Sequence, residues 1–187
     1  GLIFGLLTAI LLCRKWKTPV LPMLDAAGVS LLLAQGIGRW GNFVNIEAFG
    51  SNTTLPWGMT SPAITNYLTY RVSQEAYLSE GILIDPTAPV HPCFFYEFLW
   101  CMIGALWISL YIKHRKFDGE VFLMYIGWYG LGRFFIEGLR TDSLMIGHYR
   151  VSQIVAAVCF VAAGLVILGP GVKLARRSGR GEPYLLY

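Results

Sequence analysis

Apolar residues fall along the chain in five runs. They cover residues 1–13 (GLIFGLLTAILLC), 20–38, 94–112 (FFYEFLWCMIGALWISLYI), 121–139 and 151–170, and each carries few charges. The last four are each roughly 20 residues, enough at about 1.5 Å per residue to cross a hydrocarbon layer of about 30 Å. Helices buried in soluble domains can be this apolar, but four in one short chain rarely are. The pattern predicts an all-α fold, a polytopic transmembrane helical bundle. Its expected divisions are 1–50 (two transmembrane segments and the polar stretch after them), 51–90 (a small extracytoplasmic cap), 91–172 (three transmembrane segments) and 173–187 (a cytoplasmic tail). The cap interval carries Asn, Thr, Ser, Pro and the tripeptide PWG (56–58), with strand-like and short helical pieces such as AITNYLTYRVSQEAYL. The chain opens without a basic leader or a cleavage site, which reads as a chain entered midway, with further segments expected upstream.

Composition strengthens the membrane reading. Hydrophobic residues make up 55% and charged residues 14%, with a mean hydropathy of +0.54, against about 25% charged in a soluble domain. The net charge of +4 says less than where the charges fall. The clusters RKWK (14–17), KHRK (113–116) and KLARRSGR (173–180) hold all five lysines and five of the ten arginines. They share one side if each apolar run crosses once, and the excess of basic residues makes that side cytoplasmic. The other side carries Arg39, Arg71, Arg140 and Arg150 but no lysine, with Arg133 just inside the fourth run. Arginine meets phosphate as a planar fork, lysine as a point charge.

Cys13, Cys93, Cys101 and Cys159 form no C-x-x-C pair and read as small hydrophobes. Metal-ligand spacing such as H-E-x-x-H, a G-x-S-x-G elbow and a phosphate loop are all missing. No metal and no cofactor is therefore expected, a serine hydrolase is unsupported, and no nucleic acid is expected as a partner.

Three polar clusters interrupt this background. GRWGNFVNIEAFG (38–50) follows directly on the second run and brings Arg39, Asn42, Asn45 and Glu47 together among glycines. One arginine near a membrane surface can simply reach back to water, and the glycines can serve helix packing alone. Four such groups in succession look more like a polar site held against the membrane, where ionisable groups are costly to keep. GRFFIEGLRTDS (132–143) puts Arg133, Glu137 and Arg140 at i, i+4 and i+7, one face of a helix that is otherwise apolar. Two arginines around one carboxylate leave excess positive charge, suited to a phosphate; a buried ion-pair network is the structural alternative. HPCFFYE (91–97) sets Pro92 where a first helical turn accepts it and adds His91, Tyr96 and Glu97. His91 is either a general base or a capping or packing histidine, and Glu97 needs a partner, one of the arginines. All three clusters are expected near the outer face.

These motifs resemble the prolipoprotein diacylglyceryl transferase family. The first matches G-R-x-G-N-F-x-N-x-E-x-x-G at every fixed position, the third is similar to H-P-x-x-x-Y-E, and the second, followed by Gly147, Ser152 and Gln153, is similar to that family's second arginine motif. The resemblance implies a bacterial inner-membrane enzyme of about seven helices, five of them here, with its active site toward the periplasmic face. Such an enzyme moves the diacylglyceryl group of phosphatidylglycerol to the thiol of the lipobox cysteine of a preprolipoprotein and releases glycerol phosphate. Its partners would be phosphatidylglycerol, the preprolipoprotein signal peptide and the lipid bilayer. Carried over by motif, Arg39, Asn42, Glu47, Arg133 and Glu137 would serve catalysis. Arg39, Asn45, Gly50, Tyr129, Arg133 and Arg140 would bind the phospholipid, and His91, Tyr96 and Glu97 are further candidates.

One departure stands out. The family carries a histidine in H-G-G-L-I-G-G, and GLIFG at the start here is similar to the tail of that motif, with Phe4 in place of a glycine. That histidine and about two helices are expected upstream, and a chain of these 187 residues alone is expected to bind poorly or be inactive. His91 or His148 as a replacement base is the weaker possibility. Two rivals stay open: a non-catalytic protein that binds or transports anionic phospholipid, and a structural subunit whose polar clusters only pack helices.

Overall fold

A computed structural model of the chain describes residues 2–73, 84–141, 145–146 and 149–171. Among these, six α-helices carry the fold: α1 (Leu2–Lys15), α2 (Val20–Val44), α3 (Pro62–Ser73), α4 (Cys93–Tyr111), α5 (Glu120–Glu137) and α6 (Val151–Val166). A two-stranded antiparallel pair, Met145–Ile146 with Tyr149–Arg150, leads into α6. The chain is mostly helical, as the hydrophobic runs predict.

Helices α2, α4 and α5 form the core. Leu32 of α2, Cys101, Ala105 and Ile108 of α4 and Val121 of α5 are buried together. Contacts that step from Glu97–Arg133 to Trp100–Trp128 to Tyr111–Glu120 run α4 and α5 in opposite directions. Asp25–Phe122, Gln35–Tyr125 and Arg39–Tyr129 run α2 and α5 in the same direction. Helix α6 leans on α5 at Gly130, where an added Cβ would stand 2.8 Å from the Ala156 carbonyl.

Long apolar stripes remain exposed. Leu99, Ile103, Leu106 and Leu110 line one flank of α4, and Val155, Val158, Val161 and Leu165 line α6. Surfaces this apolar match a lipid solvent rather than water. Among the described residues, three helical stretches are long and apolar enough to cross a membrane: Val20–Val44, Cys93–His114 and Val151–Gly169. The sequence pattern predicts five spans. Helix α1 has only 14 described residues, and α5, at 18, carries Glu120, Arg133 and Glu137. For these reasons the two are not among the stretches that length and composition alone mark as spans.

Two helix ends differ from the expected ones. The apolar pattern predicts that the second run ends at residue 38, but α2 continues to Val44. The apolar Trp40, Phe43 and Val44 extend its pattern through Gly38 and Gly41, so Arg39 and Asn42 lie within the helix. Helical spacing predicts that Arg140 shares the helix of Arg133. Instead α5 ends at Glu137, and Arg140 belongs to an extended bridge with Gly50.

The N-terminal end of α5 is held from a distance. Asp25 of α2, 1% exposed, accepts hydrogen bonds from the Gly119 and Phe122 N–H groups at 2.8 and 2.9 Å. It thus caps the first turn of a neighbouring helix, whose free N–H groups need acceptors. Arg115 pairs with the same carboxylate at 3.3 Å.

The described residues of 46–73 and 84–92 pack over a small core of their own: Phe49, Ile64, Leu68, Ile84 and Val90. Where the sequence predicts strand-like and short helical pieces, the described part holds helix α3 and isolated bridges of Val90 to Asn52 and Met59. Residues 74–83, Gly147, His148 and the tail 173–187 lie outside the described residues.

Candidate active site

Glu97 is the centre of the site. It stands one turn into α4 and is 4% exposed. Arg39 Nε of α2 lies 2.6 Å from its Oε2, and Arg133 Nη1 of α5 lies 2.6 Å from its Oε1. Arg140 Nη1 approaches the same Oε1 at 3.9 Å. The partner expected for Glu97 is thus present twice over.

Arg133 does more than pair with Glu97. Its Nη2 also reaches Glu137 Oε2 at 2.6 Å, one helical turn along α5. One guanidinium therefore bridges two nearly buried carboxylates, a use of the planar fork that an ammonium cannot copy. Arg39 donates from Nη2 to the Tyr129 hydroxyl at 3.0 Å, which gives the motif tyrosine a place beside the motif arginine.

Among the described residues, the guanidinium groups of Arg39, Arg133 and Arg140 meet the carboxylates of Glu97 and Glu137. The carboxylate side chains are 3–5% exposed, while the arginines are 12–20% exposed. The arginines are thus the more exposed members of the cluster, and charge-assisted bonds to an anion are what guanidinium groups offer.

Gly50 ties the cluster to the polar interval. Its N–H donates to the His91 carbonyl at 2.8 Å, and Ser51 N–H donates to the Leu139 carbonyl at 2.8 Å. A Cβ on Gly50 would stand 2.7 Å from His91 Cβ and 2.9 Å from both Cys93 Sγ and the Leu139 carbonyl. Only glycine fits where three segments meet this closely. Residues 46–50 reach that point by a contorted path: Ile46 and Ala48 take φ of +57° and +58°, a conformation rare for side chains with Cβ.

The remaining candidates stand apart from the arginine cluster. Glu47 is exposed, and its Oε1 accepts from Asn45 Nδ2 at 3.4 Å. Asn42 is half-buried and accepts the Glu47 N–H on its backbone oxygen at 3.0 Å. Tyr96 accepts from Trp57 Nε1 at 2.9 Å, and its hydroxyl lies 3.2 Å from His91 Nδ1. Burial pushes the His91 pKa down, favouring a neutral ring that can accept the tyrosine proton at Nδ1. His91 and Tyr96 border an apolar groove of about 390 Å³ with Leu55, Trp57, Phe95, Leu99 and Leu139. None of these residues lines the small cavity at Glu97 and Arg133.

Several contributors lie outside the candidate site residues. Arg150 Nη1 donates to the Glu137 backbone carbonyl, and Gln153 Nε2 donates to the Phe134 carbonyl at 2.9 Å, so the start of α6 covers the end of α5. Trp100 and Trp128 brace α4 and α5 beside the cluster.

Comparisons with known proteins point to one family. The family model for prolipoprotein diacylglyceryl transferase matches residues 1–169. The chain is similar to proteins named phosphatidylglycerol–prolipoprotein diacylglyceryl transferase from three bacteria. It is 37% identical to that of Listeria welshimeri over 188 residues and 38% identical to that of Listeria innocua over 189, covering 100% of this chain and 61% of each relative. It is 38% identical to that of Limosilactobacillus reuteri over 167 residues, covering 88% of this chain and 56% of the relative. The chain thus spans about three-fifths of the length of the curated relatives it matches.

Proposed function

The chain belongs to the prolipoprotein diacylglyceryl transferase family, and on that premise we propose that it forms the phospholipid site of such a transferase. The protein that contains it moves the diacylglyceryl group of phosphatidylglycerol to the lipobox cysteine of a preprolipoprotein. The thiol sulfur forms a bond to the glyceryl carbon, and the bond from that carbon to the phosphate oxygen breaks. Glycerol phosphate departs with the electron pair. The thiol gives up its proton, which ends on the departing phosphate or in water, since the thiolate is the nucleophile.

One observation carries this reading: Arg39, Arg133 and Arg140 gather around two buried carboxylates, with the arginine side chains more exposed than the carboxylates. In the ground state the cluster would hold the phosphodiester. As the carbon–oxygen bond breaks, the departing phosphate gains charge, and donors already in place stabilise it at no cost of reorganisation. Glu97 and Glu137 orient the guanidinium groups. Tyr129 steadies Arg39, and Gly50 lets the polar interval close on the cluster. Asn42, Asn45 and Glu47 would meet the substrates from the loop side, with His91 and Tyr96 as supporting groups.

The same proposal covers the setting. Five segments cross the bacterial cytoplasmic membrane, with 14–17, 113–116 and 173–180 on the cytoplasmic side. Residues 51–90 form a cap on the outer face above the site. The divisions 1–50, 51–90, 91–172 and 173–187 follow from that topology. Support comes from the distribution of lysine and arginine and from the meeting of α2, α4 and α5 at their Arg39, Glu97 and Arg133 ends.

The test is mass spectrometry of a lipobox peptide incubated with the full-length protein and phosphatidylglycerol. The expected result is the mass of a diacylglyceryl adduct on the cysteine and release of glycerol phosphate. A folded, membrane-inserted protein that gives neither product refutes the proposal.

A further inference from the structure

Helices α4 and α5 carry the same short pattern, a tryptophan four residues before a glycine: Trp100 with Gly104, and Trp128 with Gly132. The two copies interlock. Trp100 Nε1 donates to the Trp128 carbonyl at 2.8 Å, and Trp128 Nε1 donates to the Trp100 carbonyl at 2.9 Å. The indoles stack 4.4 Å apart and 14° from parallel. Each lies across the other helix's glycine, where an added Cβ would collide with the indole nitrogen. The exchange is close to twofold symmetric: each half supplies one ring, one hydrogen bond and one glycine seat.

The surroundings break that symmetry. Trp100 faces the site. With Glu97, Tyr129, Gly132 and Arg133 it encloses a cavity of about 10 Å³, room for no more than about one water. Its indole rests on the backbone of Gly132, the residue before Arg133. Trp128 turns along α4 in the other direction, toward Gly104 and the Trp107 ring at 5.3 Å.

We infer that Trp100 is a positioning residue for the headgroup site, which deepens the proposed function and rests on it. It presses the Gly132–Arg133 backbone against α4 at a fixed register, so that the Arg133 fork reaches Glu97 and Glu137 together. It also keeps water from the inner side of the cluster, where a dry environment strengthens each charged contact. A ring that opened this side would let Arg133 trade a carboxylate for solvent and lose its aim at the phosphate. Trp128 has the same bonding and no such post.

The symmetry supplies the control. Trp100→Phe and Trp128→Phe each remove one indole donor and keep an aromatic ring, so their losses of thermal stability should match. Both variants of the full-length protein are compared for binding to phosphatidylglycerol against phosphatidylcholine vesicles, well below their unfolding temperatures. The expected result is a loss of phosphatidylglycerol affinity of about tenfold or more for Trp100→Phe, and a change within about twofold for Trp128→Phe. If the Phe variant does not fold, Trp100→Tyr takes its place, with the same expected loss.

Equal losses in the two variants, or none in either, overturn the inference, because a purely structural role would treat the halves alike. So does an unsubstituted protein with no preference for phosphatidylglycerol. The peptide-adduct assay on the same samples separates the two readings. A protein that prefers phosphatidylglycerol but transfers nothing refutes the transferase, while the comparison of variants still decides the role of Trp100.

Discussion

Replacing Arg133 with lysine keeps the charge and removes the fork. Arg133 holds Glu97 Oε1 through Nη1 and Glu137 Oε2 through Nη2, each at 2.6 Å. A lysine ammonium has three donors but one nitrogen, so it cannot match the two-nitrogen span of the fork across both carboxylates. Glu97 keeps Arg39 at 2.6 Å, so in Arg133→Lys the ammonium would settle on Glu137, and one charged hydrogen bond would be lost. Such a bond is worth about 1.5–3 kcal/mol, so the expected loss of stability is about 2 kcal/mol, followed by thermal unfolding in detergent. The rate should fall further than the stability. An ammonium placed for Glu137 no longer faces the phosphate as a donor pair, and loss of one positioned donor to a developing oxyanion costs about 10²–10³ in rate. Single-turnover formation of the peptide adduct measures this with the protein held below its unfolding temperature. A variant with wild-type stability and a rate within a few-fold of wild type would refute the argument that the fork, rather than the charge, is needed.

Three further expectations follow from the geometry. Gly50→Ala should weaken both folding and transfer, because its Cβ meets the backbone carbonyl of Leu139 as well as His91 and Cys93; overpacking of this kind costs about 1–3 kcal/mol, and calorimetry with the adduct assay reads both losses. Asp25→Asn should lower stability by about 2 kcal/mol by weakening the charge-assisted bonds from Gly119, Phe122 and Arg115, yet leave phosphatidylglycerol affinity unchanged, since Asp25 lies at the other end of α2 from Arg39. His91→Gln should flatten the pH dependence of stability. Burial lowers the folded-state pKa of His91, so below about pH 6.5 the unfolded chain binds more protons and stability falls with acidification; unfolding midpoints of both proteins between neutral and mildly acidic pH should diverge.

Much of the site is legible in the sequence because charge is so rare in the apolar runs. Glu97, Arg133 and Glu137 each interrupt a segment that otherwise favours lipid, and a buried carboxylate near a buried guanidinium has few alternatives to pairing. Arg39 reads the same way, although its helix runs about two turns past the expected end because Trp40, Phe43 and Val44 stay apolar. Arg140 is a different case. Helical spacing predicts that it joins Arg133, and it does approach Glu97, but through the extended bridge to Gly50 that follows the end of α5. Spacing along one helix cannot anticipate a strand-like contact with a segment so much earlier in the chain. The Asp25 cap is hidden for the same reason: its targets are backbone N–H groups, which carry no side-chain signature. The Trp100–Trp128 exchange leaves a trace as the repeated tryptophan-to-glycine interval, but a tryptophan in an apolar run reads equally well as an interfacial anchor.

The cap that Asp25 places on α5 bears on how the protein is made. Helix α5 is poorly suited to enter a bilayer alone: it brings Glu120, Arg133 and Glu137, and charged residues cost about 2.5–3.5 kcal/mol each at the centre of a span, less toward its ends. Its main partners, Asp25 and Arg39 on α2 and Glu97 on α4, all precede it in the chain and leave the ribosome first. Insertion of α5 should therefore be a late, assisted step, with α2 and α4 waiting to receive it. A glycosylation reporter placed after α5 should show efficient crossing when residues 1–119 precede it, and weak crossing when α5 is presented alone or behind a chain carrying Asp25→Leu and Glu97→Leu.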